Sequence, residues 1–217
     1  MTKERLIKIL FFALFVKPIV FVILGLNIRG REKLPLEGPA ILAGNHNSHL
    51  DTLVLMSLYP LSKMHKIRPV AAADYFLKNR YLAWFSQTCI GIIPLDRSGG
   101  TSKDKLFSGC YKALGEGDIL IIFPEGSRGD PEKIGKIKKG LYYLVHDFQK
   151  TSKTTVQVSP VLMHGLGGAL PRGEALFVPF NCDVIIDEPL ELSQTSMQYV
   201  KQISERFEYL QQFCLTH

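Results

Sequence analysis

Hydrophobic positions follow two kinds of pattern along the chain. One long apolar run lies near the amino terminus, and from about residue 35 short β-branched runs alternate with stretches whose apolar positions are three or four residues apart. The short runs predict strands at 40–43, 69–73, 90–95, 119–123, 156–162 and 184–186. The other stretches predict helices at 48–59, 80–88, 103–114, 137–146 and 196–213. This alternation is typical of a single α/β domain with a mostly parallel central sheet flanked by helices, whose ligands bind beyond the carboxyl ends of the strands.

The amino-terminal run, residues 9–26, reads ILFFALFVKPIVFVILGL. Its 18 positions are at the lower limit for crossing a hydrocarbon layer about 30 Å thick, and Lys17 and Pro18 near its middle disfavour a clean span. We expect a kinked helix or two short helices that enter one leaflet, with a buried core helix as the alternative. Three basic residues that would favour anionic headgroups follow the run: Arg29, Arg31 and Lys33. The chain is therefore divided into a membrane-attaching helical segment, 1–34, and a globular domain, 35–217.

Composition narrows the class of protein. A length of 217 residues corresponds to about one domain, and 46% hydrophobic with 21% charged residues excludes an intrinsically disordered chain. The net charge of +6 favours an anionic partner, whether nucleic acid, phosphate ester or acidic lipid. Four scattered cysteines without a C-x-x-C pair indicate a reducing, cytosol-facing location.

Polar residues of catalytic type cluster where the predicted strands end, first at Asn45 to Asp51. On a continuous helix His46 and Asp51 would lie about 140° apart, so they meet only if the backbone bends between them. A turn that leaves His46 before a helix and Asp51 in its first turn allows the carboxylate to hold one imidazole nitrogen. The other nitrogen can then act as a general base toward a hydroxyl.

Two other interpretations of this cluster stay open. Ser48-x-x-Asp51 is also a capping box, in which Asp51 only satisfies a backbone amide at the start of a helix. A metal site built on His46, His49 and Asp51 would instead favour a metallo-hydrolase.

Three further clusters carry charge or a conspicuous proline. In the second, Gly91 to Ser98, Arg97 suits forked recognition of a phosphate, with a local pair to Asp96 as the alternative. In the third, Phe123 to Gly129, glycines permit close backbone approach and the acid and arginine offer a hydroxyl acceptor and an anion clamp. An ordinary solvent loop is the alternative there. The fourth, Val158 to Val161, is by itself a strand with an edge proline.

In order and spacing these clusters resemble the glycerolipid acyltransferase family, the lysophosphatidic acid acyltransferases and their relatives. The family's N-H-x-x-x-x-D block is similar to 45–51, its G-x-x-P-x-x-R block to 91–97, its F-P-E-G-[TS]-R block to 123–128, and its late proline block to 158–161. The resemblance covers about residues 40 to 190.

The resemblance implies an O-acyltransferase domain over 35–217. His46 would be the base that deprotonates a glycerol hydroxyl and Asp51 would orient it, with attack on the thioester of acyl-CoA or acyl carrier protein. The residues implied to hold the acceptor are Arg97, Glu125, Gly126, Ser127 and Arg128, with Gly91 in the same block as Arg97; Pro160 would line the acyl or donor groove. The mechanism requires no metal and no bound cofactor.

The preferred acceptor is 1-acylglycerol-3-phosphate, giving phosphatidic acid; glycerol 3-phosphate, another lysophospholipid and a lyso-aminolipid are the alternatives. We expect a membrane-associated protein at the cytoplasmic face of the inner or plasma membrane, in contact with an anionic membrane surface. The alternatives of another class are a metallo-hydrolase and a catalytically silent membrane-binding protein.

Basic residues are concentrated in two segments that could meet donor or lipid phosphates, or simply be solvated: 63–80 and 133–139. Aromatic and basic residues show none of the interleaving found in single-strand binders, so nucleic acid is not an expected partner. The glycine and lysine spacing at 129–136 also fails the phosphate-loop pattern.

Overall fold

A computed structural model describes residues 2–48, 50–76, 79–96, 102–130, 133–166 and 182–215. Its strands are β1 (Leu26–Arg29), β2 (Ala40–Gly44), β3 (Ile67–Ala72), β4 (Ile93–Leu95), β5 (Ile119–Ile122), β6 (Gln157–His164) and β7 (Cys182–Ile186). Its α-helices are α1 (Lys3–Phe11), α2 (Asp51–Ser57), α3 (Ala73–Phe76), α4 (Arg80–Phe85), α5 (Lys103–Gly115), α6 (Gly140–Ser152) and α7 (Ser196–Gln211). Three π-turns, Phe12–Val16, Ile19–Ile23 and Ser86–Ile90, and two 3-10 segments, Arg31–Lys33 and Leu61–Lys66, complete these elements.

The described strands form one seven-stranded sheet in the order β1-β7-β6-β2-β5-β3-β4. The strands β6, β2, β5, β3 and β4 run parallel to one another, whereas β7 is antiparallel to β6 and β1 follows the direction of β7. The central strand β2 is buried along its whole length, as expected of a strand covered on both faces. The predicted α/β class with a mostly parallel sheet is confirmed.

Each face of the sheet carries its own hydrophobic layer. Helices α5, α6 and α7 cover one face through side chains such as Phe107, Leu144 and Phe207. The amino-terminal helical segment and α2 cover the other face through side chains such as Phe12 and Leu55. This arrangement places the carboxyl ends of the five parallel strands at one common edge of the sheet, which is where a ligand site is expected.

Residues 3–23 are helical throughout, so of the two predicted forms, one kinked helix or two short helices, the second is wrong. Their buried positions recur every fourth residue: Lys8, Phe12, Val16, Val20 and, just beyond the helix, Leu24. A regular α-helix turns about 400° over four residues, so this stripe would drift by about 40° per repeat. The wider π-turns Phe12–Val16 and Ile19–Ile23 slow that drift and keep the stripe on the core.

A second stripe with the same four-residue repeat faces solvent. It is almost wholly apolar and consists of Leu6, Leu10, Leu14, Pro18 and Val22. The amino-terminal segment is thus a core helix on one side, as the alternative interpretation held, and an exposed apolar surface on the other.

Two of the three lysines within residues 3–23, Lys8 and Lys17, are bonded to the domain. Lys8 Nζ donates to the carbonyl of Ile67 at 2.9 Å, and Lys17 Nζ donates to the carbonyls of Ser57 and Tyr59 at 2.8 Å each, just after α2 ends. A cation at the carboxyl end of a helix also interacts favourably with its dipole. Within the described ranges, no helix combines the length and the hydropathy that crossing a bilayer requires.

Most predicted elements are present with shifted ends. The strand predicted over 90–95 begins only at Ile93, because Ser86–Ile90 forms a π-turn and Gly91 has a left-handed backbone with φ of 80°. The helix predicted over 137–146 begins at Gly140 and continues to Ser152. Neither β1 nor α3 was predicted.

Candidate active site

His46 and Asp51 meet at the carboxyl edge of the sheet. His46 lies in the turn after β2, α2 begins at Asp51, and His46 Nδ1 is 2.9 Å from Asp51 Oδ2. Since a carboxylate only accepts, Nδ1 carries the proton in this contact and Nε2 remains as the basic nitrogen. The His46 side chain is 21% exposed and that of Asp51 1%, so substrate can reach the imidazole but not the carboxylate.

The same carboxylate also caps the turn. Asp51 Oδ2 accepts the backbone N–H of Asn47 and of Ser48, each at 2.8 Å. The bond to Ser48 is one half of a capping box. The other half is not formed, because Ser48 Oγ accepts from the backbone N–H of Leu50 at 3.2 Å and α2 has no side-chain cap. The two backbone bonds to Asp51 instead fix the carboxylate that contacts His46.

Residues of the third cluster hold His46 from the other side. The imidazole stacks on the ring of Phe123, with centroids 4.1 Å apart and planes 13° from parallel. The backbone N–H of His46 donates to Glu125 Oε1 at 3.0 Å, and the carbonyl of His46 accepts from the backbone N–H of Gly129 at 3.0 Å. The position and orientation of the imidazole thus depend on the loop after β5 as well as on Asp51.

Asn45 anchors the start of the turn to β6. Its side-chain amide donates to the carbonyl of Met163 at 2.8 Å, and its side-chain oxygen accepts the N–H of Met163 at 2.7 Å. Asn45 is buried, so this paired contact is shielded from water. It fixes the residue next to His46 against a neighbouring strand.

Glu125 is buried beside the imidazole. Burial raises the pKa of its carboxyl above the usual range, while the backbone N–H groups of His46 and Gly135 and the charge of His46 oppose the rise and Asp51 adds to it. Gly135 packs so closely against the carboxylate that a Cβ there would come within 2.2 Å of Glu125 Oε2. Glu125 therefore supports the site from within the fold.

An apolar cavity of about 290 Å³ lies beside the stacked rings, on the α5 and α6 side of the sheet. Phe123 and Gly126 belong to its wall, and Lys138 is its cationic lining residue. The rest of the lining is mainly aliphatic and aromatic: Val70, Leu95, Leu106, Phe107, Ile122, Pro124, Gly140, Leu141 and Leu144. A cavity of this character suits a hydrocarbon chain.

Of the remaining residues of the third cluster, Gly126 belongs to the wall of this cavity. Gly126 has φ of 74°, and a Cβ there would come within 2.8 Å of Lys138 Nζ, so glycine is needed for both reasons. Ser127 and Arg128 are exposed on the loop that follows. The structure thus brings the Glu125 carboxylate to the backbone N–H of His46 and places Gly126 in the wall of the cavity.

Gly91 and Pro160 are placed elsewhere. Gly91 precedes β4 and therefore lies at the opposite edge of the sheet, where its carbonyl accepts from Arg68 Nε at 2.8 Å and a Cβ would come within 2.7 Å of Lys8 Nζ. This geometry does not fit the predicted substrate-binding role of Gly91. Pro160 is buried inside β6 with Ala43 as its partner on β2.

Two predicted residues, Arg97 and His49, lie outside the described residues. The proposed metal site on His46, His49 and Asp51 therefore lacks a described third member. In the described ranges, the group of ligand-type side chains whose atoms come within 4.8 Å of one another is a different one: His164, Asp183 and Cys214.

The two basic segments differ in their surroundings. In the first, Lys66 and Arg68 form ion pairs with Asp118, at 3.2 and 3.7 Å, below the amino ends of the strands. In the second, Lys136, Lys138 and Lys139 are exposed, and Lys138 borders the apolar cavity. Among the described residues, Lys66 and Arg68 of the first segment therefore lie away from the site, whereas Lys138 of the second segment borders the cavity beside it.

A family model described as Acyltransferase matches residues 25–164, well over half of the chain. The chain belongs to the acyltransferase family. It is 31% identical over 174 residues to the chloroplastic 1-acyl-sn-glycerol-3-phosphate acyltransferase LPAT1 of Arabidopsis thaliana, covering 79% of this chain and 45% of the relative. It is 23% identical over 186 residues to the human 1-acyl-sn-glycerol-3-phosphate acyltransferase alpha, covering 83% of this chain and 60% of the relative.

The fold of this acyltransferase has a solved counterpart. The crystal structure of the 1-acyl-sn-glycerophosphate (LPA) acyltransferase PlsC from Thermotoga maritima matches with a TM-score of 0.74 at 18% identity, over 96% of this chain and 81% of that chain. The chain spans about half the length of the plant and algal relatives it matches.

Sequence reasoning missed two residues that position the acyltransferase site, Asn45 and Phe123. Both stand inside quoted clusters, but spacing alone does not reveal that an amide pairs with β6 or that a ring stacks on His46. A polar residue directly after a buried strand and an aromatic residue directly after another were the available signals.

Proposed function

We propose that this protein moves a fatty acyl group from a thioester donor, acyl-CoA or acyl carrier protein, to the free hydroxyl of a lysophospholipid, foremost 1-acylglycerol-3-phosphate. The observation that carries the proposal is the His46–Asp51 contact at 2.9 Å, at the carboxyl edge of the sheet and beside an apolar cavity. Relatives named 1-acyl-sn-glycerol-3-phosphate acyltransferases support this acceptor.

In the proposed reaction, His46 Nε2 takes the proton of the acceptor hydroxyl as its oxygen attacks the thioester carbonyl. Asp51 holds Nδ1–H and stabilises the imidazolium that forms. When the tetrahedral intermediate collapses, the carbon–sulfur bond breaks and the leaving thiolate takes the proton from the imidazolium. The products are an ester and a free thiol, and no acyl-enzyme forms. Neither a metal nor a cofactor enters this route.

The remaining groups bind the substrates in this scheme. Arg97 and Arg128 hold the phosphate of the acceptor, because a guanidinium presents paired donors that match phosphate oxygens. The acyl chain occupies the apolar cavity, and the exposed Lys138 in its wall attracts the anionic donor.

Membrane attachment follows from the exposed apolar stripe of residues 3–23. A helix that packs one face on its own domain and exposes an apolar second face is suited to lie in the plane of a bilayer interface. The exposed basic residues Arg29 and Arg31 follow this segment and suit anionic lipids at the cytoplasmic face.

A donor-by-acceptor activity matrix tests the proposal. Purified protein in detergent should acylate radiolabelled lysophosphatidate faster than glycerol 3-phosphate or other lysolipids, from acyl-CoA or acyl carrier protein. Arg97→Ala should mainly raise the KM for the acceptor, since phosphate binding is partly shared between ground and transition states. Absence of transfer with every pair, together with intact vesicle binding, would favour a silent membrane-binding protein.

A further inference from the structure

The helix α4 exposes an aromatic face that the proposed chemistry does not use. The side chains of three residues of this short helix are exposed: Tyr81 at 72%, Trp84 at 58% and Leu82 at 36%. Large apolar side chains grouped on a surface mark a contact site. Tyrosine and tryptophan, with a polar atom on an apolar ring, are the side chains enriched where a bilayer meets water.

This face continues the exposed stripe of the amino-terminal segment. The ring of Phe85, at the end of α4, contacts that of Phe11 edge-on with centroids 5.2 Å apart, and Phe11 lies 6.3 Å from Phe15, which is 59% exposed. The two helices therefore form one apolar surface joined by a row of aromatic rings.

Charge indicates which partner fits this surface. Arg80 is exposed with its guanidinium 5.2 Å from the Tyr81 ring, and Lys3 is exposed at the start of α1. Basic residues beside aromatic ones favour anionic headgroups. A second copy of the chain would instead bring like charges together, in a protein whose net charge is +6.

We propose that α4 is a second membrane-binding element, which places Tyr81 and Trp84 in the headgroup region of an anionic bilayer beside the amino-terminal helix. This inference rests on the membrane attachment proposed above and adds a distinct contact to it. Because α4 begins shortly after the carboxyl end of β3, this contact holds the edge of the sheet that carries His46 close to the lipid surface.

Trp84 is the only tryptophan of the chain, so the wild-type protein carries its own reporter. Addition of vesicles of phosphatidylcholine with phosphatidylglycerol should shift its emission to the blue, and lipids brominated on the acyl chain should quench it. A chain with Trp84→Phe and Tyr209→Trp is the matched control. Tyr209 is also exposed, at 49%, and also lies near an arginine, but it belongs to α7 on the other face of the sheet. The control should bind the vesicles with no blue shift and no quenching.

Substitution supplies a second measurement. Tyr81→Glu combined with Trp84→Glu should weaken partitioning into these vesicles by about tenfold or more, with unchanged activity on detergent-dispersed substrate. Bound protein whose Trp84 emission neither shifts nor is quenched would overturn the role of α4 alone. Failure of the wild type to co-sediment with any vesicle would overturn membrane attachment as well. Concentration-dependent association without lipid, abolished by the same substitutions, would assign the face to a second copy and also refute the inference.

Discussion

The imidazole of His46 and the carboxylate of Asp51 meet at 2.9 Å across a bend of five residues, and the same carboxylate oxygen holds the two backbone N–H groups between them. Orientation of the imidazole and closure of the turn are therefore one interaction. Removing the imidazole should leave the turn intact, whereas removing the carboxylate should disturb both.

We expect His46→Ala to lower kcat by about 10²-fold to 10⁴-fold, the usual range for loss of general-base assistance. The thermal unfolding midpoint should change little. Asp51→Ala should lower kcat as strongly and also lower the midpoint, because the buried N–H of Ser48 and the half-buried N–H of Asn47 lose their acceptor. Steady-state rates and thermal scans on both variants check this. Wild-type rates in His46→Ala would remove the imidazole from the mechanism.

The spacing of His46 and Asp51 predicted the condition for their contact but did not decide between contact and helix capping. Residues five apart do not share a helix face, so the two groups could meet only in a strand-to-helix turn. The apolar run at 40–43 and the alternation around it predicted the sheet. These features depend on local pattern, which a single sequence contains.

Other features depend on packing between distant segments. β1, with the sequence LNIR, was missed because it follows directly on the apolar run and pairs only with the remote β7. The two π-turns of the amino-terminal segment could not be predicted, since almost every residue around them is apolar. Gly91 was assigned to the site because its motif also contains Arg97, yet Gly91 precedes β4 and lies at the amino edge of the sheet.

The raised pKa of Glu125 predicts a pH-dependent stability. Just above its ordinary value of 4.5 the folded chain retains a proton that the unfolded chain has lost, so the free energy of unfolding falls as pH rises through the raised pKa. Glu125→Gln keeps an oxygen for the N–H of His46 and removes the titration. Its stability relative to wild type should therefore increase with pH across this window, in urea unfolding at a series of pH values. A constant difference would contradict the assignment.

Lys8 should act in the opposite sense. Burial, helped by Arg68 and opposed by Asp118, lowers the pKa of its ammonium to about 7. Between that pKa and the ordinary value of 10.5 the unfolded chain binds more protons, so stability rises with pH there, by at most about 1.4 kcal/mol per pH unit. Lys8→Met should gain most relative to wild type below pH 7 and lose that gain toward pH 10. A gain that does not change with pH would contradict the prediction, because it would mean that Lys8 has the same charge in the folded and unfolded chains throughout this range.

The exposed stripe of the amino-terminal segment predicts a separable membrane defect. Leu10→Glu with Leu14→Glu should abolish co-sedimentation with anionic vesicles while leaving the fold intact, because neither side chain enters the core. Met197→Glu is the control, since Met197 is 65% exposed and Leu14 64%, but Met197 lies on α7. Equal loss of binding in the control would mean that added negative charge, rather than the stripe, determines attachment.

The apolar cavity should limit the length of the acyl chain. Leu106 lines it and is only partly buried, so Leu106→Trp can fill space without forcing the core apart. Each buried methylene contributes about 0.8 kcal/mol, and each one that the indole displaces should cost roughly fourfold in affinity. The measurement is kcat/KM across a series of acyl donors, where long chains should lose most and short chains least. Leu192→Trp, at a partly buried position packed on the same hydrophobic layer but not lining the cavity, should leave the profile unchanged. If Leu106→Trp lowers kcat/KM by the same factor for every donor, the acyl chain does not occupy this cavity.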